Sequence, residues 1–106
     1  MSDVALLISH DGLRQALVPY LQAWGFGVAP FAGEPPPVVV TTVRDAPPQT
    51  CADLARQGRS VVVLATVPRE SERDLYLRSG AAAYVPMNGV GDQLLEAIRS
   101  VTGQGA

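Results

Sequence analysis

The chain has 106 residues, 47% hydrophobic and 17% charged, with a formal net charge of -2. That length and apolar content fit one globular domain with its own core, needing neither a disulfide staple nor a structural metal. The negative balance argues against direct electrostatic nucleic-acid binding, which needs clustered cations, and with arginine supplying all eight basic residues there is no lysine for Schiff-base, phosphate-anchoring or acid-base chemistry.

Val4 to Ile8 is a continuous β-prone run, as expected of a strand buried on both faces in a parallel sheet. Asp11 reads as an N-cap, and Leu13, Leu17 and Leu21, with Ala16, Tyr20 and Trp24, mark one face of a helix ending at Gly25. Pro19 falls inside that helix, deletes the hydrogen bond to the Gln15 carbonyl and predicts a bend. Gly27 to Phe31 is a weak second strand. The six residues Ala32 to Pro37, three of them consecutive prolines, leave no room for a helix before the third strand, Val38 to Val43.

Thr50 to Gln57 reads as a short helix closed by Gly58, and Ser60 to Thr66 as a fourth, central strand. Ser71 and Asp74 have capping-box spacing and open a helix through Leu75 and Leu77 to Gly80. Ala82 to Val85 is a fifth strand. Leu94, Leu95, Ile98 and Val101 then repeat at helical spacing, and residues 103–106 read as a tail or the start of a linker after a domain spanning 1–102. Strands alternating with helices imply a three-layer, doubly wound α/β fold with a parallel five-stranded sheet. In such sheets ligands gather at the carboxyl ends of the strands, so the turn Pro86-Met87-Asn88-Gly89 is a candidate site.

Cys51 has no second cysteine to pair with, which is compatible with a reducing cytosol; its place at a helix start raises the question of reactivity, against a merely packed thiol. There is no basic leader with a cleavage motif, and no stretch approaches the roughly 20 apolar residues of a membrane span, so a cytoplasmic domain is expected.

The segment Gly80-Ala81-Ala82-Ala83-Tyr84-Val85-Pro86-Met87 resembles the end of a response-regulator receiver domain, where a small-residue turn leads to an aromatic residue, two apolar residues and a lysine. ALLISHDGLRQALVPYLQAWGFGV likewise resembles a receiver's first strand, first helix and second strand, and the likeness continues to Val101. It implies a flavodoxin-like sheet of order 2-1-3-4-5, here lacking the helix between strands two and three.

Receivers phosphorylate an aspartate at the end of the third strand. An acidic pair after the first strand holds magnesium, and a Thr or Ser after the fourth strand and a Lys after the fifth contact the phosphoryl group. The resemblance places the acceptor on Thr42, or Thr41 after a one-residue slip, and the acidic pair on Ser9 and His10, or Ile8 and Ser9. Ala65 or Thr66 takes the hydroxyl position and Met87 the lysine position, while Asp11 could supply at most one metal oxygen. An acyl phosphate needs a carboxylate, and magnesium needs several anionic oxygens. The resemblance therefore implies a pseudo-receiver with phosphotransfer lost and no cofactor or metal.

His10 is a candidate pH-responsive group or ligand contact, against an ordinary loop histidine, and Asp11 reads as a cap before a metal ligand. Ser9, His10 and Asp11 are neighbours in sequence, but no nucleophile-elbow spacing accompanies them. There is also no GxGxxG, P-loop or metal-ligand cluster, so no enzyme is expected. Tyr84 resembles the receiver's switch aromatic and is expected to be fixed and partly buried. Arg73, Arg78, Tyr84 and Asp92 fall on the face that dimerises in receivers, against a plain solvated surface. The missing helix predicts bare apolar sheet near Phe31 and Val38 to Val43, covered by the Pro-rich loop or a second subunit. The expected role is a phosphorylation-independent regulatory domain acting by dimerisation or by binding another regulatory protein, at the N-terminus of a transcription regulator. The alternative is a small-molecule sensor whose pocket is lined by Ser9, His10, Thr42, Thr66 and Met87.

Overall fold

The three longest apolar runs lie side by side at the centre of one sheet, where both faces of each strand leave water. The computed structural model describes residues 3–29, 37–89 and 91–102. The elements are β1 (Asp3–Leu7), α1 (Asp11–Ala23), β2 (Gly27–Ala29), β3 (Val38–Thr42), α2 (Pro48–Arg56), β4 (Ser60–Ala65), α3 (Glu70–Ser79), β5 (Ala83–Pro86), a 3-10 turn at Met87–Gly89, and α4 (Asp92–Thr102). All strand pairs are parallel, in the order β2-β1-β3-β4-β5. The fold is the expected doubly wound, flavodoxin-like α/β sandwich.

Alternation along the strands splits the core in two. Val4, Leu6, Val38, Val40, Val62, Leu64 and Val85 pack beneath Leu17 and Leu21 of α1 and Leu94 and Ile98 of α4. Ala5, Val39, Val61 and Val63 face the other way, against Cys51 and Leu54 of α2 and Tyr76 of α3. The bare sheet expected near Val38 to Val43 is not found at β3: Val38, Val39, Val40 and Thr41 are all buried, with α2 supplying cover for Val39. A second subunit is not needed to remove them from water. Phe31 and the Pro-rich stretch, apart from Pro37, lie outside the described residues.

Helix starts differ most from the expectations. His10, not Asp11, caps α1: its Nδ1 accepts the Leu13 N–H at 3.0 Å, and Asp11 becomes the first helical residue, ion-paired to Arg14. An imidazole nitrogen reaches the same free helical donor that a carboxylate would. α1 runs unbroken through Pro19. α2 starts two residues early, at Pro48, because the first turn needs no N–H from its residue. α3 starts at Glu70 with Arg69 in the cap position and no side-chain cap, so Ser71 and Asp74 form no capping box. Its buried residue is Tyr76, 2% exposed, whereas Leu75 is 47% exposed.

Tyr76 ties the layers together. Its hydroxyl lies 2.9 Å from the Ala46 carbonyl and 3.2 Å from that of Val43, with burial pushing its pKa up to about 12, so the donor proton stays on. The loop after β3 is thereby pinned from below. Cys51 is fully buried, and burial pushes its thiol up to about 11. A neutral, inaccessible thiol is not a nucleophile despite its helix-start position. In native protein Ellman's reagent should leave Cys51 unmodified over a period in which the urea-unfolded chain reacts fully; rapid labelling of the native state would contradict the packing described.

Candidate functional site

Four parallel strands end on the same side of the sheet, and their ends and following loops enclose an open cleft of about 460 Å³. It is lined by Ser9 and His10 after β1, Thr42 to Asp45 after β3, Leu64 and Thr66 at the end of β4, Met87 after β5, and Leu13 of α1. Five of the six expected site residues, Ser9, His10, Thr42, Thr66 and Met87, therefore meet around one space. Asp11 does not line it; its carboxylate is turned to Arg14.

The register also decides between the paired alternatives. Thr41 is fully buried and donates to the Leu7 carbonyl at 2.7 Å, which knits β3 to β1, so Thr42 alone presents to the cleft. Ala65 is 1% exposed while Thr66 is exposed and lines the cleft. Ile8 is buried in the core and Ser9 lies at the surface. Each case follows from strand alternation, which turns successive side chains to opposite sides.

The residue that sequence reasoning missed is Asp45. Its Oδ2 accepts from the Thr42 hydroxyl at 2.7 Å and its Oδ1 from the Ser9 N–H at 3.2 Å, while its own N–H reaches back to Thr42 Oγ1 at 3.2 Å. Burial works against the ionised carboxyl, but the hydrogen bonds from Ser9 and Thr42, with Arg44's charge nearby, outweigh it and hold Asp45 below its ordinary 3.8. A carboxylate thus sits in the cleft three residues beyond the strand end. The signal was there in Thr42 and Asp45, whose spacing suits a side-chain turn.

Asp45→Asn should destabilise the fold by about 1 kcal/mol at neutral pH, since it weakens two hydrogen bonds of a half-buried acceptor. A carboxyl with a depressed folded pKa contributes fully above its unfolded value and loses that contribution as pH falls through the folded one. The gap between wild type and variant should therefore close below about pH 4. Urea unfolding from pH 7 to pH 3 measures it; a gap that widens on acidification would contradict the assignment.

On a neighbouring face, Tyr84 is partly buried and held at both ends of its hydroxyl, donating to Glu72 and accepting from the Arg69 N–H at 3.3 Å. Burial first, then the Glu72 contact, raise its pKa. Tyr84 and Arg73 line a second cleft of about 420 Å³ with Pro68, Arg69, Glu70, Pro86 and Gln93. Arg78 and Asp92 are exposed and lie outside that cleft. Among the described residues, no group of three or more potential ligands is placed to hold a metal ion, and no helix is long and apolar enough to cross a membrane.

No protein-family model and no curated protein sequence matches the chain. Solved structures do. The signal receiver domain of the putative response regulator NarL from Mycobacterium tuberculosis superposes with a TM-score of 0.85 at 15% identity, covering 96% of each chain. A LuxR-family DNA-binding response regulator from Staphylococcus aureus gives 0.81 at 18%, covering 95% of this chain and 98% of that one. The Salmonella typhimurium response regulator RcsB gives 0.84 at 12%, covering 96% of this chain and 60% of RcsB. The chain therefore has the receiver fold over nearly its whole length.

Proposed function

We propose that this chain is a pseudo-receiver: a phosphorylation-independent regulatory domain that acts through protein–protein contact, as the N-terminal part of a transcription regulator. The observation that carries this reading is the content of the strand-end cleft, where Thr42, Ser9 with His10, and Met87 occupy the positions at which the receiver resemblance asks for a phosphate acceptor, a metal-binding acidic pair and a lysine. The Thr42 hydroxyl donates to Asp45, a carboxylate held below its ordinary pKa and so too weak a base to make it a good nucleophile, and a thioether cannot neutralise a phosphoryl group. Asp45, the carboxylate present, already accepts two hydrogen bonds from the protein, and among the described residues no second acidic side chain lines the cleft with it. The domain on this reading performs no phosphotransfer.

Its partner is a second copy of itself, through the surface of α3, β5 and α4 that carries Arg73, Arg78, Tyr84 and Asp92. Val67 and Leu75, on the loop before α3 and on α3, are exposed apolar residues at 64% and 47%. The likeness to DNA-binding regulators supports an output domain beyond this chain. Incubation with magnesium and acetyl phosphate should leave the intact mass unchanged; gain of one phosphoryl group would overturn the reading. Sedimentation across a concentration series should show reversible association that Arg73→Glu weakens, and a monomer at every concentration would remove the dimerisation half of it.

A further inference from the structure

We infer that the strand-end cleft binds a small zwitterion with an apolar side chain, of the kind of an aliphatic α-amino acid, through Asp45, Arg44 and the wall formed by Leu13, Leu64 and Met87. This goes beyond the regulatory reading and does not depend on dimerisation. It rests on two charges of opposite sign that line one cleft without touching each other. Arg44 is exposed and Asp45 half-buried; both line the cleft, yet among the described residues neither forms an ion pair, with the other or with anything else. Elsewhere neighbouring Arg and Asp side chains do pair, as Arg14 with Asp11 and Arg56 with Asp53. Arg44 and Asp45 on the turn after β3 thus act on each other through charge without direct contact, so a molecule carrying both charges could bridge them.

The two charges match the two ends of an amino acid. The Asp45 carboxylate is fixed by Ser9 and Thr42, so an incoming ammonium meets a positioned anion whose remaining lone pairs are free. The guanidinium of Arg44 suits a carboxylate. His10 lines the cleft as well, with its Nδ1 held by the Leu13 N–H. Leu64 is buried at the floor, with Leu13 and Met87 half-buried beside it, so the wall is apolar and Met87 adaptable. A volume of about 460 Å³ lies in the range of small-molecule sites. An inorganic oxyanion would meet the Asp45 carboxylate head-on.

The test is a titration of the ¹⁵N-labelled chain, followed by amide shifts, with L-leucine, 3-methylbutylamine (the same side chain and nitrogen without the carboxylate), 4-methylpentanoate (without the ammonium) and inorganic phosphate. L-Leucine should give saturable shifts at Ser9, Thr42 and Asp45, and each half-ligand should bind about tenfold or more weakly. Arg44→Gln should weaken L-leucine and 4-methylpentanoate but not the amine, and Asp45→Asn the amine and L-leucine but not the acid. That crossed pattern cannot come from a merely loosened fold. If Asp45→Asn fails to fold, Arg44→Gln, at an exposed position, decides alone. The inference is overturned by no saturable shift up to about 10 mM amino acid, by half-ligands binding as well as L-leucine, or by phosphate binding in its place. Acetyl-phosphate labelling and sedimentation are separate readouts, so failure here leaves the regulatory reading standing, and the converse.

Discussion

Leu94→Ala is expected to lower the free energy of unfolding by about 2–5 kcal/mol. Leu94 is fully buried where α4 meets the strand-end half of the sheet, sharing a cluster with Leu64, Val85 and Ile98 and packing near Met87. Removing its isobutyl group costs the transfer energy of the lost methyl and methylene groups and leaves a cavity that strands on one side and a helix on the other cannot easily close. Leu75→Ala is the control: the same truncation on a side chain 47% exposed should stay within about 0.5 kcal/mol. Urea denaturation of both variants gives the comparison, and equal losses would mean that the packing of α4 is wrong. Because Leu64 and Met87 border the cleft as well as this cluster, the Leu94 variant should also lose order at the strand-end site.

Gly80→Ala should cost about 2–4 kcal/mol from two separable sources. The backbone at Gly80 has φ +117, in the left-handed region that a side chain disfavours, and closes α3 with hydrogen bonds from Gly80 N–H to Leu77 and from Ala81 N–H to Tyr76. A Cβ there would also stand 2.9 Å from the Cβ of Ala55, where α2 approaches. Gly58 has a similar φ of +84 after α2 but no atom within 4 Å of the added Cβ. Gly58→Ala therefore carries only the conformational part, about 1–2 kcal/mol, and the difference between the two variants isolates the helix contact. Equal melting shifts for the two would show that α2 and α3 do not meet at this glycine.

The central strands were legible because each is a run of apolar residues too short for a helix and too uniform for a half-wet hairpin. α1 and α4 were legible because Leu17 with Leu21, and Leu94 with Ile98, recur at the helical period on a single buried face. α3 was readable as a helix but not in its orientation: the pattern runs the helix through Leu75 and Leu77 with no buried face assigned, and Tyr76 takes that side. Its ring fills the space under β4 and its hydroxyl finds two loop carbonyls that leucine would have left unpaired. The capping positions failed for a related reason. Ser71 and Asp11 satisfy the local rule, but where the chain leaves the sheet sets the first helical turn, and at α1 His10 was already within reach of the free N–H.

The strand-end cleft shows the same division. Ser9, His10, Thr42, Thr66 and Met87 were identifiable because the receiver resemblance assigned them to strand ends, and parallel strands end together at one side of the sheet. Asp45 was not. Whether a carboxylate in a proline-rich loop points to solvent or into a cleft depends on where Tyr76 pins Val43 and Ala46, thirty or more residues away in sequence. The choice of Thr42 over Thr41 likewise needed the pairing of Leu7 with Thr41 in the β1–β3 ladder.

By itself, then, the sequence determined the alternation of strands and helices, the parallel sheet, the shared end at which a site must form, and the arginine-only basic set. These follow from hydrophobic period and composition, which act within a few residues. The tertiary structure alone decided which side chain of each strand end faces the cleft, that His10 caps α1, that β3 is buried, and that an ionised Asp45 stands in the site beside Arg44. Those outcomes depend on register and on contacts between distant segments, and no local pattern encodes a distance between residues that meet only after the sheet has formed.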